Sequence, residues 1–209
     1  MLRDAAAHVT WLLDHGYADA AIAKLVGDRF QLSKRQRAAL TRSTCTTTSR
    51  ESRLARRIDD LTAREVHIDG FNVLLPIERA LGGGPLLRGA EGAHRDLGGV
   101  HGTWRTVAQT PEAVRLLGPV LEPAARVTWW LDRPVSNSGR LATLIRETAA
   151  EAGWAWDVRL EDRVDSTLAR QDGVIGTSDG WILEQGVRWA DLIGPVVCTV
   201  PGAWVVDLG

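Results

Sequence analysis

Aspartates stand where the apolar runs of this chain end. Asp69 follows "VHI", Asp132 follows "VTWWL" and Asp179 follows "VIGTS", and each of these runs has the composition of a buried strand. A further run, "WAWDVRL", leads into an acidic segment with Asp162 and Asp165. Carboxylates gathered in one place repel one another unless a cation compensates, and oxygen donors favour Mg²⁺ or Mn²⁺ over zinc. The pattern therefore predicts a Mg²⁺ or Mn²⁺ site formed by these aspartates.

Several of these acids also have a structural explanation. Asp179 lies in "TSDG", which suits an Asx turn or a helix N-cap. Asp162 and Asp165 fall on one face of a helix expected to begin near Glu161, where the helix dipole favours acidic residues. Asp69 is harder to explain in this way, because the "GFNV" that follows it lacks the composition of a turn. We therefore interpret Asp69 as functional, and the other acids as functional only if they meet it.

The elements that position these acids lie after residue 63. There, apolar and β-branched runs typical of strands alternate with segments whose apolar residues have helical spacing. The helical patterns are "TPEAVRLLGPVL", "SGRLATLIRETAAEAG" and "EDRVDSTLARQ", while "PVVCTV" has the composition of a strand. Such alternation predicts an α/β fold with a Rossmann-like, mainly parallel sheet over residues 64–209. The tail "VVCTVPGAWVVDLG" is expected to form two short antiparallel strands at its edge. Ligands of open α/β sheets bind beyond the carboxyl ends of the strands, where the aspartates are expected to converge.

The first 45 residues predict a small all-helical domain. Apolar residues recur at helical spacing in three short segments, and Ser33 is placed to cap the third. This unit is either a helix-turn-helix with its basic third helix on nucleic acid or a simple packing module. Residues 46–63 are polar and basic, which predicts a linker or the extension of a helix.

Charge is distributed unevenly along the chain. The net charge is -1, yet residues 33–57 contain eight basic side chains and one acidic side chain. A concentrated basic segment attracts a polyanion such as RNA, although a solvated helix face rich in arginine has the same composition. The candidate nucleic-acid contacts are Lys34, Arg35, Arg37, Arg42, Arg53, Arg56, Arg57, Arg95, Ser138 and Ser178.

The segment from Gly82 to Trp104 is unusually rich in glycine. Loops of this length are functional or disordered, so the segment predicts either a lid that clamps phosphate or a disordered insertion. Its candidate phosphate contacts are Arg88, His94, Arg95 and His101.

Other kinds of chemistry find less support in the composition. The two cysteines lack the spacing of a metal site, and the five histidines show no pairing with a serine or cysteine nucleophile. No apolar run approaches the roughly 20 residues that span a bilayer, and the N-terminus lacks the apolar stretch of a signal peptide. We therefore expect a cytoplasmic protein with no membrane contact, and a homo-oligomer is compatible with the sequence.

Two motifs resemble those of a known superfamily. "IDGFNVL" resembles the first-strand motif of the PIN/NYN-like nucleases, and "EDRVDSTLARQDGVIGTSDGWILE" is similar to the second half of the site in Regnase-type NYN domains. The resemblance covers about residues 65–195. As a whole, the chain also resembles an uncharacterised prokaryotic family that joins a small helical N-terminal domain to a PIN-like domain.

The resemblance implies metal-dependent hydrolysis of RNA, with single-stranded RNA as the expected substrate. Asp69 would be the central metal ligand and Asn72 its orienting partner. Asp162 would be the ligand at the helix start, and Asp179 the ligand after the fourth strand. Asp165 competes for the third position, because other NYN domains place that acid in a similar Val-Asp pair.

The remaining acid of the PIN site has no clear match. Glu112 and Asp132 are both candidates, and Thr177 and Ser178 would help to position a water or a phosphate. The expected function is a Mg²⁺- or Mn²⁺-dependent ribonuclease. The alternatives are a nucleic-acid-binding protein with a degenerate PIN-like site and a helix-turn-helix DNA regulator.

Overall fold

The structure, a computed structural model, describes residues 1–98 and 104–209. The N-terminal helices are α1 (Leu2–Asp14), α2 (Asp19–Arg29), α3 (Lys34–Ser43) and α4 (Thr47–Ala55). The strands are β1 (Glu65–Asp69), β2 (Leu86–Arg88), β3 (His94–Arg95), β4 (Arg126–Asp132), β5 (Trp156–Glu161), β6 (Val174–Gly176), β7 (Trp189–Ala190) and β8 (Val205–Asp207). The later helices are α5 (Gly70–Leu81), α6 (Thr110–Leu121), α7 (Ser138–Ala152), α8 (Val164–Leu168), α9 (Gly180–Glu184) and α10 (Ile193–Val197). Among the helices of these two described ranges, none is long and apolar enough to cross a membrane.

Five strands form a parallel sheet in the order β5-β4-β1-β6-β7. Strand β1 lies at its centre, paired with β4 along its whole length and with β6 over three residues. Because the strands are parallel, Asp69 at the end of β1 and Asp132 at the end of β4 reach the same edge. The predicted α/β class with a mainly parallel sheet and an N-terminal helical region is confirmed.

Helices cover both faces of this sheet. Apolar residues of α5, α6, α7 and α10 pack with Val66 and Ile68 of β1 in the main core. Residues of α8 and α9 pack with Trp130 of β4 on the opposite face. Side chains alternate along a strand, so His67, which contacts Trp130, and Asp69 point towards the layer of α8 and α9.

The chain end differs from the prediction. The segment expected to form a strand, "PVVCTV", begins inside helix α10, and β8 lies parallel to β2 in a second sheet of order β3-β2-β8. The prediction of two antiparallel strands was therefore wrong, because a short apolar run reads alike as a strand or a buried helix. Asp191 favours the helix, because its Oδ1 accepts the first backbone N–H groups, from Ile193 and Gly194, at 3.3 Å each.

The helical N-terminal unit shares a hydrophobic cluster with the second sheet. Leu40 of α3 and the apolar faces of α1 and α2 pack together with Leu87 of β2 and Leu208 after β8. Of residues 46–63, predicted to be a linker or a helix, Thr47–Ala55 form α4, whose N-terminus is capped by the hydroxyl of Thr46. The two parts of the chain are therefore packed against each other and not joined by a loose linker.

Candidate functional site

Asp69 is the most deeply buried acid at the sheet edge, with 1% of its surface exposed. Its Oδ2 accepts hydrogen bonds from Asn72 Nδ2 at 2.9 Å and from Thr177 Oγ1 at 2.7 Å. Burial raises the pKa of Asp69 to about 7; these hydrogen bonds oppose the rise, and the charges of Asp179 and Asp165 add to it. The site therefore holds a desolvated carboxylate with two neighbouring acids.

The backbone around Asp69 needs the glycine that follows it. A Cβ atom on Gly70 would lie 2.3 Å from the side chain of Leu131 and 2.9 Å from the carbonyl oxygen of Trp130. Only glycine lets α5 begin this close to β4, because any larger residue would force the two elements apart. The "DG" pair thus places Asp69 at the carboxyl edge and turns the chain directly into a helix.

Asp179 and Asp165 reach the site from α9 and α8. Asp179 follows β6 and caps α9, with Oδ1 accepting the backbone N–H groups of Trp181 at 2.8 Å and Ile182 at 3.1 Å. Asp165 lies in the first turn of α8, and partial burial and the charge of Asp179 raise its pKa. Asp179 therefore serves both as the predicted N-cap and as a member of the acidic group.

Asp132 extends this group along the sheet edge. Burial and the charge of Asp165 raise the pKa of Asp132. Both carboxylates line an open cavity of about 450 Å³, together with Trp181, half of whose surface is exposed. An exposed tryptophan beside carboxylates is a surface on which a nucleobase can stack.

Asp162 takes a different position from the one predicted. Glu161 ends β5 and the helix begins only at Val164, so Asp162 precedes α8 and does not share a helix face with Asp165. Its side chain is 63% exposed and faces Arg133 at 3.4 Å. Of the two candidates for the third acidic position, Asp165 is the one whose charge acts on Asp69.

Glu112 lies outside the acidic group, whereas Asp162 lines the same open cavity as Asp132 and Asp165. Glu112 is about half exposed on α6 and faces Arg115 of the same helix at 3.9 Å. Asp132 is therefore the better placed of the two candidates for the fourth acid, since its carboxylate adjoins Asp165.

Two carboxylate oxygens of the acidic group are available to a divalent cation. Asp69 Oδ1 and Asp179 Oδ2 accept no hydrogen bond within residues 1–98 and 104–209, so each has an oxygen available as a ligand. Hard oxygen donors of this kind suit Mg²⁺ or Mn²⁺. In those same ranges, however, there is no group of three His, Cys, Asp or Glu side chains close enough together to hold a metal ion. The donor set fits such a cation, and binding would require the carboxylates to move closer together.

A cleft between the helical unit and the sheet adjoins the acids. It has a volume of about 500 Å³ and runs from Thr41 and Arg42 at the end of α3 to Asn72 and Asp179. Arg42 is exposed, and its guanidinium donates to the carbonyl oxygens of Asp96 and Gly98. The cleft therefore brings a basic side chain and the acidic group into one continuous surface.

Most of the other predicted basic contacts bond to the protein itself. Arg53, with Arg95, is buried on the carboxylate of Glu91, and Arg95 Nε also donates to the carbonyl oxygen of Ser178 at 2.7 Å. The Arg37 guanidinium bonds to carbonyl oxygens of α2 and to Asp28. Arg37, Arg53 and Arg95 thus bond to other groups of the protein, and the prediction that they also contact RNA stays a prediction.

The remaining candidates divide into internal and exposed residues. Arg56 donates to Ser52 and to the carbonyl oxygen of Leu183 at 3.1 Å, so it too holds α4 to α9. The hydroxyls of Ser138 and Ser178 are buried and donate to backbone carbonyl oxygens. Lys34 and Arg35 are exposed on α3. Arg57 is only partly buried and borders another cavity.

Sequence reasoning missed a second acid at the sheet edge. Asp191 directly follows β7, and its Oδ2 lies 2.6 Å from Nδ1 of His94 in the glycine-rich segment. Strand β7 has only two residues and gives no detectable pattern, and no local signal links positions 94 and 191. His101, predicted as a phosphate contact, lies outside the described residues.

These features define an α/β protein whose central parallel sheet ends in a cluster of aspartates beside a helical unit. Residues 58–195 match the family described as "Domain of unknown function (DUF5616)", and the chain belongs to that family. Residues 1–56 match the model of "Protein of unknown function (DUF434)". The chain is also similar to an uncharacterized protein of Methanocaldococcus jannaschii, MJ0935, with 28% identity over 194 residues, 90% of this chain and 92% of that protein. No solved structure matches the chain.

Proposed function

We propose that this protein is a Mg²⁺- or Mn²⁺-dependent ribonuclease whose catalytic residues are Asp69, Asp165 and Asp179. The observation that carries the proposal is the burial of Asp69 at the carboxyl end of the central strand, beside two further carboxylates. Such an arrangement is unfavourable in a purely structural role, because the desolvated acids repel one another. A cation removes that cost, which favours a site that binds metal over one that only packs.

A cation bound here would neutralise charge at the scissile phosphate and lower the pKa of an attacking water. Asp69 would hold the cation through Oδ1, since Asn72 and Thr177 fix its Oδ2. Asp179 would contribute Oδ2 while its Oδ1 keeps α9 in place. Asp165 is nearer to the surface and would hold the cation from the side on which substrate enters.

The surroundings of the acids support single-stranded RNA as the substrate. On one side, the cleft offers the exposed guanidinium group of Arg42 to the phosphate backbone. On the other side, exposed Trp181 offers a ring to an unstacked base. A single strand crossing from the cleft to Trp181 would bring a phosphodiester over Asp69.

Single substitutions test the proposal. We expect Asp69→Asn, Asp179→Asn and Asp165→Asn each to lower the rate of Mn²⁺-dependent cleavage of a labelled single-stranded RNA by at least about 100-fold, because each removes a charged ligand. The control Asp162→Asn should cleave at a rate near that of the wild type, since its side chain is exposed and paired with Arg133. Asp157→Asn, on the exposed surface of β5, is a second control.

The assay is read from initial rates, with circular dichroism to verify that each variant is folded. Wild-type rates in the Asp69→Asn and Asp179→Asn variants would refute the proposal. A loss in Asp162→Asn with no loss in Asp165→Asn would instead restore Asp162 to the third position.

A second candidate function is RNA binding without cleavage. It is favoured by the spacing of the acids, because no three of them in the described ranges are close enough to hold a metal as they stand. Tight binding of intact RNA with a steep salt dependence, in the presence of either cation, would support this alternative.

A further inference from the structure

A second cavity, of about 700 Å³, opens between the β2–β3 hairpin, α10 and the segment before β8. It shares no lining residue with the acidic cavity or with the cleft beside it. The ionisable side chains that line it, in the part of the chain that the structure describes, are Arg57, Arg88, His94 and Asp191. Three of these four are basic, so its character is opposite to that of the acidic site.

Two guanidinium groups converge on one glycine in this cavity. A Cβ atom at Gly92 would lie 2.6 Å from Nη1 of Arg57 and 3.9 Å from Nη2 of Arg88. Gly92 also has a φ of +89°, a conformation that favours glycine. A side chain at position 92 would clash with Arg57, so glycine lets this guanidinium group lie directly against the backbone of the hairpin.

Among the residues that the structure describes, each guanidinium group uses only part of its donor capacity. Nε of Arg57 donates to Asp59 at 2.8 Å, and Nη1 of Arg88 donates to Asp207 at 3.2 Å. Neither carboxylate lines the cavity, and Asp59 is largely exposed to water. Arg57 is held in place over the ring of Trp189, 5.6 Å from its centroid. Within the described ranges, Arg57 and Arg88 therefore keep N–H donors without a partner while lining the same cavity.

His94 is fixed as a third polar group in the same cavity. Its Nδ1 is bonded to the buried carboxylate of Asp191, which orients the ring and leaves Nε2 for a ligand. Gly194 permits this contact, because a Cβ there would lie 2.5 Å from Asp191 Oδ2 and 2.9 Å from the imidazole. The pair is therefore built by close packing of α10 against β3.

We propose that this cavity is a binding site for a phosphomonoester, whose phosphate is held by Arg57 and Arg88 beside His94. A phosphate dianion accepts hydrogen bonds from two guanidinium groups at once and relieves the repulsion between them. The phosphate belongs either to a free nucleotide or to the 5′ end of an RNA strand. The site is separate from the acidic group, so it does not depend on nuclease activity.

Calorimetric titration tests the site with adenosine 5′-monophosphate, inorganic phosphate and adenosine, all in EDTA so that no metal bridges a ligand to the acids. We expect the monophosphate to bind at least about tenfold more tightly than adenosine. Arg88→Gln and Arg57→Gln should each weaken its binding by about tenfold, the effect of one lost charged hydrogen bond. Arg88 is half exposed, so its variant should fold normally.

Two controls separate the phosphate contact from other effects. Asp207→Asn removes the partner of Arg88 but keeps the cation, so binding should be retained or tighter. Arg115→Gln removes an exposed arginine on α6 and should change nothing. The Asp69→Asn variant should bind the monophosphate like the wild type, which distinguishes failure of this site from failure of the proposed nuclease.

The source of the phosphate is identified with 5′-phosphorylated and 5′-hydroxyl RNA of the same sequence. A preference for the phosphorylated strand that Arg88→Gln abolishes identifies the RNA end as the ligand. Binding of the free monophosphate without such a preference identifies a free nucleotide. The proposal is overturned if phosphate and monophosphate bind no better than adenosine, or if both arginine variants bind like the wild type.

Discussion

At the scale of single residues, the acidic group combines three different environments. Asp69 is fully buried and hydrogen-bonded through one oxygen, Asp179 caps a helix, and Asp165 lies near the surface. The same carboxylate chemistry therefore has a different energetic cost at each position. Asp69 bears the largest desolvation, so its ionisation should be measurable in the stability of the whole protein.

The Asp69→Asn variant tests the cost of ionising Asp69 through the pH dependence of the free energy of unfolding. The pKa of Asp69 is raised to about 7 in the folded protein, so the stability contributed by its protonated form is fully present below about pH 4 and is lost as the pH rises through 7. Asparagine is neutral throughout, so in EDTA the variant should match the wild type at pH 4 and exceed its free energy of unfolding by up to about 4 kcal/mol at pH 8.

Urea unfolding across pH 4 to 8 measures this difference, and added Mn²⁺ provides a second arm. At pH 8, Mn²⁺ should stabilise the wild type and leave Asp69→Asn unaffected, because a bound cation stabilises only the folded state that holds it. If the free energies of unfolding of the two proteins changed in parallel with pH, the pKa of Asp69 would not be raised as its burial indicates.

At the scale of elements, the sequence predicted most of what forms the sheet but little of what joins distant segments. The apolar runs before Asp69 and Asp132 predicted β1 and β4, because each run and its terminal acid are local. The Glu91 carboxylate between Arg53 and Arg95 could not be predicted, because it depends on how α4 packs against the β2–β3 hairpin. The position of Asp162 was also predicted wrongly. The acidic pattern indicated a helix beginning near Glu161, but α8 begins at Val164, two residues after Asp162.

Helix α4 is held by one arginine with two acidic partners of unequal burial. Arg53 contacts Glu91, which is 1% exposed, and Glu184, which is 45% exposed. Burial alone would raise the pKa of Glu91, but the charges of Arg95 and Arg53 hold this pKa below its usual value. Glu91→Gln should therefore lower the free energy of unfolding by about 3 kcal/mol or more, because it leaves two buried guanidinium groups without their shared counter-charge.

Glu184→Gln is the matched control, since it removes a partner of the same arginine from an exposed position. Its cost should stay below about 1 kcal/mol, as for other solvent-screened ion pairs. Both values come from urea unfolding at pH 7. Equal losses in the two variants would mean that burial does not decide the strength of this contact.

At the scale of the whole molecule, the family boundaries and the physical core do not coincide. The two family matches meet between residues 56 and 58, as if the chain consisted of two separable parts. The N-terminal helices nevertheless bury Leu87 and Leu208 of the second sheet, which are 2% and 5% exposed. Arg42 of α3 and Asp179 of the acidic group thereby line one cleft.

Cutting the chain at that boundary should therefore destabilise the α/β part. A fragment of residues 58–209 would expose both leucines, at a cost of about 1.5–3 kcal/mol each, and would leave Glu91 without Arg53. Guanidinium unfolding of the fragment should show a clearly lower midpoint than the whole chain. A chain cleaved after folding, at a protease site inserted after Arg56, should unfold at a midpoint that rises with protein concentration, because its two pieces now dissociate on unfolding. If the fragment alone unfolded at the same midpoint as the whole chain, the helical unit would not stabilise the α/β part. The packing of the helices against the second sheet would then serve RNA binding and not stability.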